Sequence, residues 1–275
     1  MSQSQSTDRS VLVVPHIHER NLGEAVSLLE SGGLRVVKEL DDSVELVISL
    51  GGDGTFLRAA DIAHRADLPV LGINLGHVGF LAEWEAESLE EAVRRVREHE
   101  YHVEDRMTLD IAVFDRTGTQ LSRTWALNEC SVEKIDFHGV LDALLEVDRR
   151  AVSSFGCDGV LVSTPTGSTA YTFSAGGPVM WPELDAILVV PNNAHALFAR
   201  PLVVSPDSVV DVSSKAAAQA VADGFRILQI PPEGRVQVLR GAQPVRWVRL
   251  DNGTFTDRLV SKFKLPVTGW RDSGE

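Results

Sequence analysis

The chain has 275 residues, 44% hydrophobic and 24% charged, which is enough for two modest domains with real cores. No run approaches the ~20 apolar residues of a membrane span. A net charge of −13 without clustered Lys and Arg excludes a nucleic-acid binder that works through a basic face, and two cysteines, Cys130 and Cys157, exclude a disulfide framework and fit a reducing cytoplasm.

Met1–Arg9 is polar, rich in Ser and Gln, and lacks the apolar stretch of a secretory signal, so it reads as a frayed tail. Val11–Val14 is a short apolar strand ending at Pro15. Leu22, Ala25, Val26 and Leu29 recur at helical spacing, and Gly32–Gly33 stops that helix. Leu34–Val37 and Val44–Leu50 are two further strands, the second running into Gly51-Gly52-Asp53-Gly54. A helix is expected over Phe56–His64 and a strand over Pro69–Asn74. Ser88 and Glu91 form a capping box for a helix whose apolar face is Leu89, Ala92, Val93 and Val96. Arg94, Arg95 and Arg97 alternate with Glu on that helix and read as a solvated surface. Alternation of this kind predicts an α/β domain with a parallel sheet over residues 1–106.

The pattern changes near Met107. Leu109–Phe114 and Gln120–Leu127 flank Asp115-Arg116-Thr117-Gly118, a hairpin signal. Leu144–Val147, Gly159–Val162, Ile187–Val190, Ser208–Val212, Arg235–Leu239 and Val245–Leu250 read as further strands. A mostly-β domain is therefore expected over 107–275, with the C-terminal tail free to pack back on the first domain.

Five segments could carry chemistry. Gly51, Gly52, Asp53 and Gly54 lie at the carboxyl end of a buried strand and open a helix, where parallel sheets bind ligands and backbone amides can meet phosphate oxygens. A carboxylate there repels phosphate unless it takes a proton or holds a metal, so Asp53 reads as a base or a metal anchor. Gly72-Ile73-Asn74-Leu75-Gly76 also follows a strand, and alone it is a glycine-rich turn as readily as a site. Asn128-Glu129 could hold a ribose diol or an adenine edge. Alone, an exposed loop pair is the plainer reading. The segment from Gly156-Cys157-Asp158-Gly159 to Gly177-Pro178 is the richest, with seven Ser and Thr between Ser163 and Ser174. A loop of that kind is costly without a purpose and suits a nucleotide-like ligand. Ser168 is not in a Gly-x-Ser-x-Gly elbow, which argues against acyl transfer. Asp223-Gly224 reads as a turn.

His16 and His18 lack a third ligand and read as surface residues rather than a metal site. His195 reads as packed, and Cys157 beside Asp158 as an unreactive thiol.

Taken together, Gly-Gly-Asp-Gly-Thr, Gly-Ile-Asn-x-Gly-x-x-Gly-Phe-Leu, Asn-Glu, Asp-Gly with Ser-Thr-Pro-Thr-Gly-Ser-Thr-Ala-Tyr, and Ala-Gly-Gly-Pro resemble the bacterial NAD kinases, in that family's order from about Val44 to Trp270. The first block is shared with diacylglycerol and sphingosine kinases and is similar to one in phosphofructokinases. Ser163–Tyr171 is far more specific. The resemblance implies a β-sandwich-like second domain with NAD lying between the two domains. It also implies phosphoryl transfer from ATP or polyphosphate to the 2′-hydroxyl on the adenosine side of NAD. It makes Asp53 the proton acceptor, with Gly51, Gly52, Gly54, Arg58 and Asn74 around it. Asn128 and Glu129 would meet the adenosine half and Asp158 the nicotinamide half. Thr169, Ala170, Tyr171 and Ser174 would hold the adenine and its ribose, and Ser163, Thr166 and Asp223 complete the binding set. A divalent cation, commonly Mg2+, and a homodimer or homotetramer are implied as well. Two features depart from the family: the stretch before Val44 is short, and Phe225 stands where a polar residue is common.

Two other readings compete. A lipid kinase would share the Asp53 loop, but it would leave Thr166–Tyr171 without a role and set an acidic chain against anionic membranes. A nucleotide sensor would bind NAD without turnover and need not keep Asp53.

Overall fold

The computed structural model describes residues 9–16, 22–74, 79–81, 84–85, 89–135, 139–197, 199–250 and 254–267. The tail before Arg9, His18, Leu75 and Gly76, the Ser88 cap and Trp270 lie outside the described residues.

The first elements are β1 (Arg9–Pro15), α1 (Leu22–Ser31), β2 (Leu34–Val37), β3 (Val44–Leu50), α2 (Asp53–Arg65), β4 (Val70–Asn74), β5 (Trp84–Glu85), α3 (Leu89–Glu98) and β6 (His102–Arg106). Then come β7 (Leu109–Phe114), β8 (Gln120–Ala126), β9 (Glu129–Lys134), β10 (Leu141–Val147), β11 (Arg150–Cys157) and β12 (Gly159–Ser163). A 3₁₀ turn (Thr166–Thr169) and the short α4 (Tyr171–Ser174) follow. The chain continues through β13 (Ile187–Asn192), β14 (Leu202–Val204), β15 (Val210–Ser214), β16 (Ala218–Ala222), β17 (Arg226–Ile230), β18 (Arg235–Arg240) and β19 (Val245–Arg249) to α5 (Phe255–Phe263).

The chain divides into two compact units. The first takes residues up to Asp105 and again from Val245, and the second is Arg106–Pro244. Unit one holds a seven-stranded sheet of order β2-β1-β3-β4-β19-β6, with β5 beside β4. The pairings of β1 with β2 and β3, and of β4 with β3, β5 and β19, are parallel. Leu46–Leu50 of β3 is buried without interruption, as a parallel strand covered on both faces must be. Phe56, Ala59, Ala60 and Ala63 form the buried stripe of α2, and Leu89, Ala92, Val93 and Val96 that of α3.

Unit two is two six-stranded antiparallel sheets, β11-β10-β15-β18-β7-β8 and β14-β13-β12-β9-β16-β17. Ile111, Leu145 and Val212 from one and Val132, Val160 and Ala220 from the other share one core, which makes a sandwich. Period-two alternation sets the facing. Val160 and Val162 of β12 point into that core, while Leu161 meets Met180, Leu188 and Val190 on the opposite face.

Candidate active site

In unit one the parallel sheet delivers β3 into Gly51. This glycine has φ 149, and a Cβ on it would stand 2.7 Å from Thr55 Oγ1. Its amide donates to Ile73 O at 2.9 Å, which ties the turn to β4. Helix α2 opens at Asp53 rather than at Phe56, because Gly52 O already accepts the amides of Thr55 and Phe56. Gly52 is the N-cap and no side chain caps it. Asp53 therefore sits in the first helical turn, whose leading amides have no intrahelical carbonyl to bond. Its carboxylate is not spent as a cap. Oδ1 accepts the amide of Leu81 at 2.9 Å and Oδ2 that of Phe80 at 3.2 Å. Gly79 makes this approach possible, since a Cβ there would lie 2.0 Å from Asp53 Oδ1. Gly54 and Arg58 are exposed on α2, and Asn74 is buried at the end of β4.

In unit two the corner between β8 and β9 carries Asn128 and Glu129. Both are 6% exposed, so the pair is not the exposed loop pair of the plainer sequence reading. Three hydrogen bonds from two neighbours hold the corner. Ser163 Oγ donates to Asn128 O at 3.0 Å, the Thr164 amide donates to the same oxygen at 2.9 Å, and Thr164 Oγ1 bonds Leu127 O at 2.5 Å. Gly167 presses on Asn128, where an added Cβ would come within 2.1 Å of its carbonyl oxygen. On the other side the Asp223 carboxylate accepts the amides of Leu127 at 2.8 Å and Asn128 at 2.6 Å. Asp223-Gly224 is a turn, as read, with φ of 50 and 75, but its carboxylate is buried and structural as well.

Two atoms at this corner, Asn128 Oδ1 and Glu129 Oε2, are buried and have no hydrogen-bond partner among the described residues. Such orphans are expensive unless a ligand completes them. Burial pushes the Glu129 carboxyl up to about 8, with Asp223 adding to it and the Tyr171 amide opposing. Burial also raises Asp223, against Arg226 at 2.5 Å and its amide donors. The corner thus offers an amide oxygen and a protonated carboxyl, a pattern suited to polar edges.

The hydroxyl-rich segment divides by role. Ser163, Thr164, Ser168 and Thr172 spend their hydroxyls on backbone groups, Ser168 on Met180 and Thr172 on Gly167. Thr166 is buried, Thr169 and Ala170 are half-buried, and Tyr171 and Ser174 are exposed. Tyr171 Oη accepts from Asn192 Nδ2 at 3.2 Å. Asp158, between β11 and β12, accepts from Lys134 Nζ at 2.8 Å and Asn193 Nδ2 at 2.9 Å. Lys134, then Asn193, hold its carboxyl below the usual range. The 3₁₀ turn and Asp158 follow or precede β12, so one buried strand places both of its ends in the site's framework.

One further sequence reading is corrected, and one is kept with a different leading cause. His195 is exposed, not packed; its backbone bridges Gly156, and its ring contributes to the field at Asp158. Cys157 is held as a thiol mainly by burial, which pushes it up to about 11, with Asp158 a smaller cause. Residues that the sequence did not single out include Lys134, Gly167 and Arg226. The Arg226 guanidinium lies 4.5 Å from the Trp125 ring and 4.4 Å from that of Phe225. Aromatic residues flanking a half-buried arginine were the available signal. Among the described residues no three His, Cys, Asp or Glu gather as a metal cage, and no helix is long and apolar enough to cross a membrane.

A glycine-rich strand end with a tethered carboxylate in one unit, and a buried amide–carboxyl corner rimmed by hydroxyls in the other, define a two-unit nucleotide kinase. Family models agree: the ATP-NAD kinase N-terminal domain matches residues 23–101 and the ATP-NAD kinase C-terminal domain residues 127–250. The NAD kinase of Corynebacterium jeikeium is 61% identical, over 96% of this chain and 90% of its own. That of Corynebacterium glutamicum is 68% identical, over 86% and 83%. An NAD kinase from Archaeoglobus fulgidus, solved in complex with ATP, has a TM-score of 0.74 at 28% identity, covering 93% of this chain and 97% of that one. Yeast NADH kinase complexed with NADH shares the fold, with a TM-score of 0.85 at 18% identity over 96% and 90%. The chain belongs to the NAD kinase family. It is a phosphotransferase that phosphorylates NAD, in a family that works with a divalent cation.

Proposed function

We propose that the phosphoryl donor is ATP and that Asp53 accepts the proton of the ribose 2′-hydroxyl as that oxygen attacks the terminal phosphorus. The bond to the β-bridging oxygen breaks, and NADP and ADP result. The observation that carries this reading is the tethering of the Asp53 carboxylate by the amides of Phe80 and Leu81 at 3.2 and 2.9 Å, at the opening of α2. A base must be fixed in place, and phosphoryl transfer asks mainly for alignment and charge neutralisation. With both oxygens so engaged, Asp53 suits a base better than a metal anchor. The amides of Gly52 to Gly54 seat the donor phosphates.

The lack of a three-ligand cluster among the described residues fits Mg2+, which keeps water and phosphate oxygens as ligands and needs few carboxylates. With Asp53 acting as the base, the cation would be held chiefly by water and donor phosphate oxygens. When bound, the cation would supply charge neutralisation for the donor phosphates.

In unit two, Asn128 Oδ1 and Glu129 Oε2 meet the adenosine half of NAD, which completes their hydrogen bonding. Thr169, Ala170, Tyr171 and Ser174 hold the adenine and ribose, and Asp158 the nicotinamide half. Asn74, Arg58, Ser163, Thr166 and Asp223 support these contacts. The enzyme works in the cytoplasm as a homodimer or homotetramer, a state that native mass spectrometry reads directly.

The test is NADP formation from NAD and Mg2+ with ATP or with inorganic polyphosphate, coupled to an NADP-specific dehydrogenase. ATP should support turnover. Turnover with polyphosphate alone would overturn the donor assignment.

A further inference from the structure

Phosphoryl transfer by itself gives the C-terminal helix α5 no task. None of its nine residues is fully buried, though Phe255, Leu259, Val260 and Phe263 are half-buried. A capping box between Thr254 and Asp257 opens it, and Lys264 closes it in a left-handed conformation, φ 50.

Two of its rings nevertheless reach one residue. The ring centroids of Phe255 and Phe263 lie 6.3 and 5.5 Å from that of Phe80. Phe80 is also the residue whose amide donates to Asp53 Oδ2, next to the Leu81 amide on Oδ1. Gly79, just before it, leaves room for the Asp53 carboxylate, which a Cβ there would meet at 2.0 Å. The segment 79–81 therefore grips the Asp53 carboxylate with its backbone while its one aromatic ring is clasped by α5.

We propose that Phe80, Phe255 and Phe263 are positioning residues for phosphoryl transfer: docking of α5 on the Phe80 ring fixes the 79–81 backbone and, through it, the Asp53 carboxylate. This rests on Asp53 being the base. With α5 docked, Asp53 has a single placement. With α5 released, the two amide donors wander and the carboxylate spends less time where the 2′-hydroxyl attacks. Displacements of this size are costly to rate, while the groups assigned to NAD's adenosine half lie in unit two and keep their arrangement.

The experiment uses the full chain and compares wild type with Phe255→Ala/Phe263→Ala, Phe255→Leu/Phe263→Leu and Asp53→Asn. Readouts are kcat, KM for NAD, and hydrogen exchange of the peptide containing residues 79–81. The alanine pair should lose roughly 10–100-fold in kcat with KM for NAD unchanged and with faster exchange at 79–81. The leucine pair should recover most of the rate. An alanine pair with wild-type kcat overturns the proposal, as does a loss shared equally by kcat and NAD affinity that leucine does not repair. If the double alanine variant fails to fold, Phe263→Ala alone decides: a several-fold fall in kcat at unchanged KM supports the coupling, and unchanged kcat overturns it. Asp53→Asn separates the two levels. If it retains turnover, the assignment of the base fails. If it loses turnover while the alanine pair keeps it, only the coupling fails.

Discussion

The backbone amide of Asn128 donates to the Asp223 carboxylate at 2.6 Å, across 95 positions of sequence. The same carboxylate takes the Leu127 amide at 2.8 Å and Arg226 at 2.5 Å. One buried side chain thus fixes the corner from which Asn128 and Glu129 present their unpartnered oxygens. Asp223→Ala should leave Arg226 without its charge partner and two amides without acceptors, at a cost of about 3–5 kcal/mol. Urea denaturation reads the loss, and KM for NAD should rise with it. A variant of wild-type stability and KM would remove Asp223 from the account.

The Glu129 carboxyl gives a pH signature. Burial raises it from its ordinary 4.5 to about 8, so the folded chain holds that proton more tightly than the unfolded one. Its contribution to stability is complete below pH 4.5 and is lost as pH rises through about 8. In that window wild type should lose up to ~1.4 kcal/mol per pH unit relative to Glu129→Gln. Parallel curves of stability against pH for the two proteins would contradict the burial of an ionisable carboxyl at this corner.

Gly167 stands where a methyl group would meet the Asn128 carbonyl oxygen at 2.1 Å. Gly167→Ala must push the 3₁₀ turn off the corner, with an overpacking cost of about 1–3 kcal/mol. The expected result is a protein that still folds, with a lower melting temperature and weakened NAD binding in calorimetry. Unchanged NAD affinity would mean that the corner moves freely with the turn.

Both cysteines are fully buried and held as thiols, Cys130 by burial with Glu129 and Asp223 adding, Cys157 by burial first. Ellman's reagent at pH 8 should modify neither at an appreciable rate until denaturant is added, when both react. Rapid modification of the native protein would show that the sandwich core opens around them.

Local chemistry made part of this molecule legible from sequence. Val44–Leu50 is apolar but for Glu45 and Ser49 and runs into glycines, so a buried parallel strand with a ligand loop could be read at once. The Ser163–Ser174 segment announced itself by composition, yet five of its seven Ser and Thr hydroxyls turn out to hold backbone, a division set by which way each side chain faces after folding. β11 and β16 were missed because Ser153, Ser154 and Gly156 break up the first and Ala218–Ala222 is mostly alanine, which weakens the strand signal in each. α5 carries Phe255, Leu259, Val260 and Phe263 at helical spacing, but over nine residues the period is too short to stand out from the surrounding sequence. The role of Asp223 could not be read at all. Its partners are remote in sequence, and an Asp-Gly pair by itself says only that the chain turns.

The central claim is that Asp53 acts in the chemical step and not in holding NAD. The direct measurement is Asp53→Asn followed by two readouts on one preparation, kcat for NADP formation with ATP and Mg2+, and Kd for NAD by calorimetry. The account predicts a loss of ~10²–10⁴-fold in kcat with Kd unchanged. Wild-type turnover in the variant, or equal losses of rate and binding, would contradict it.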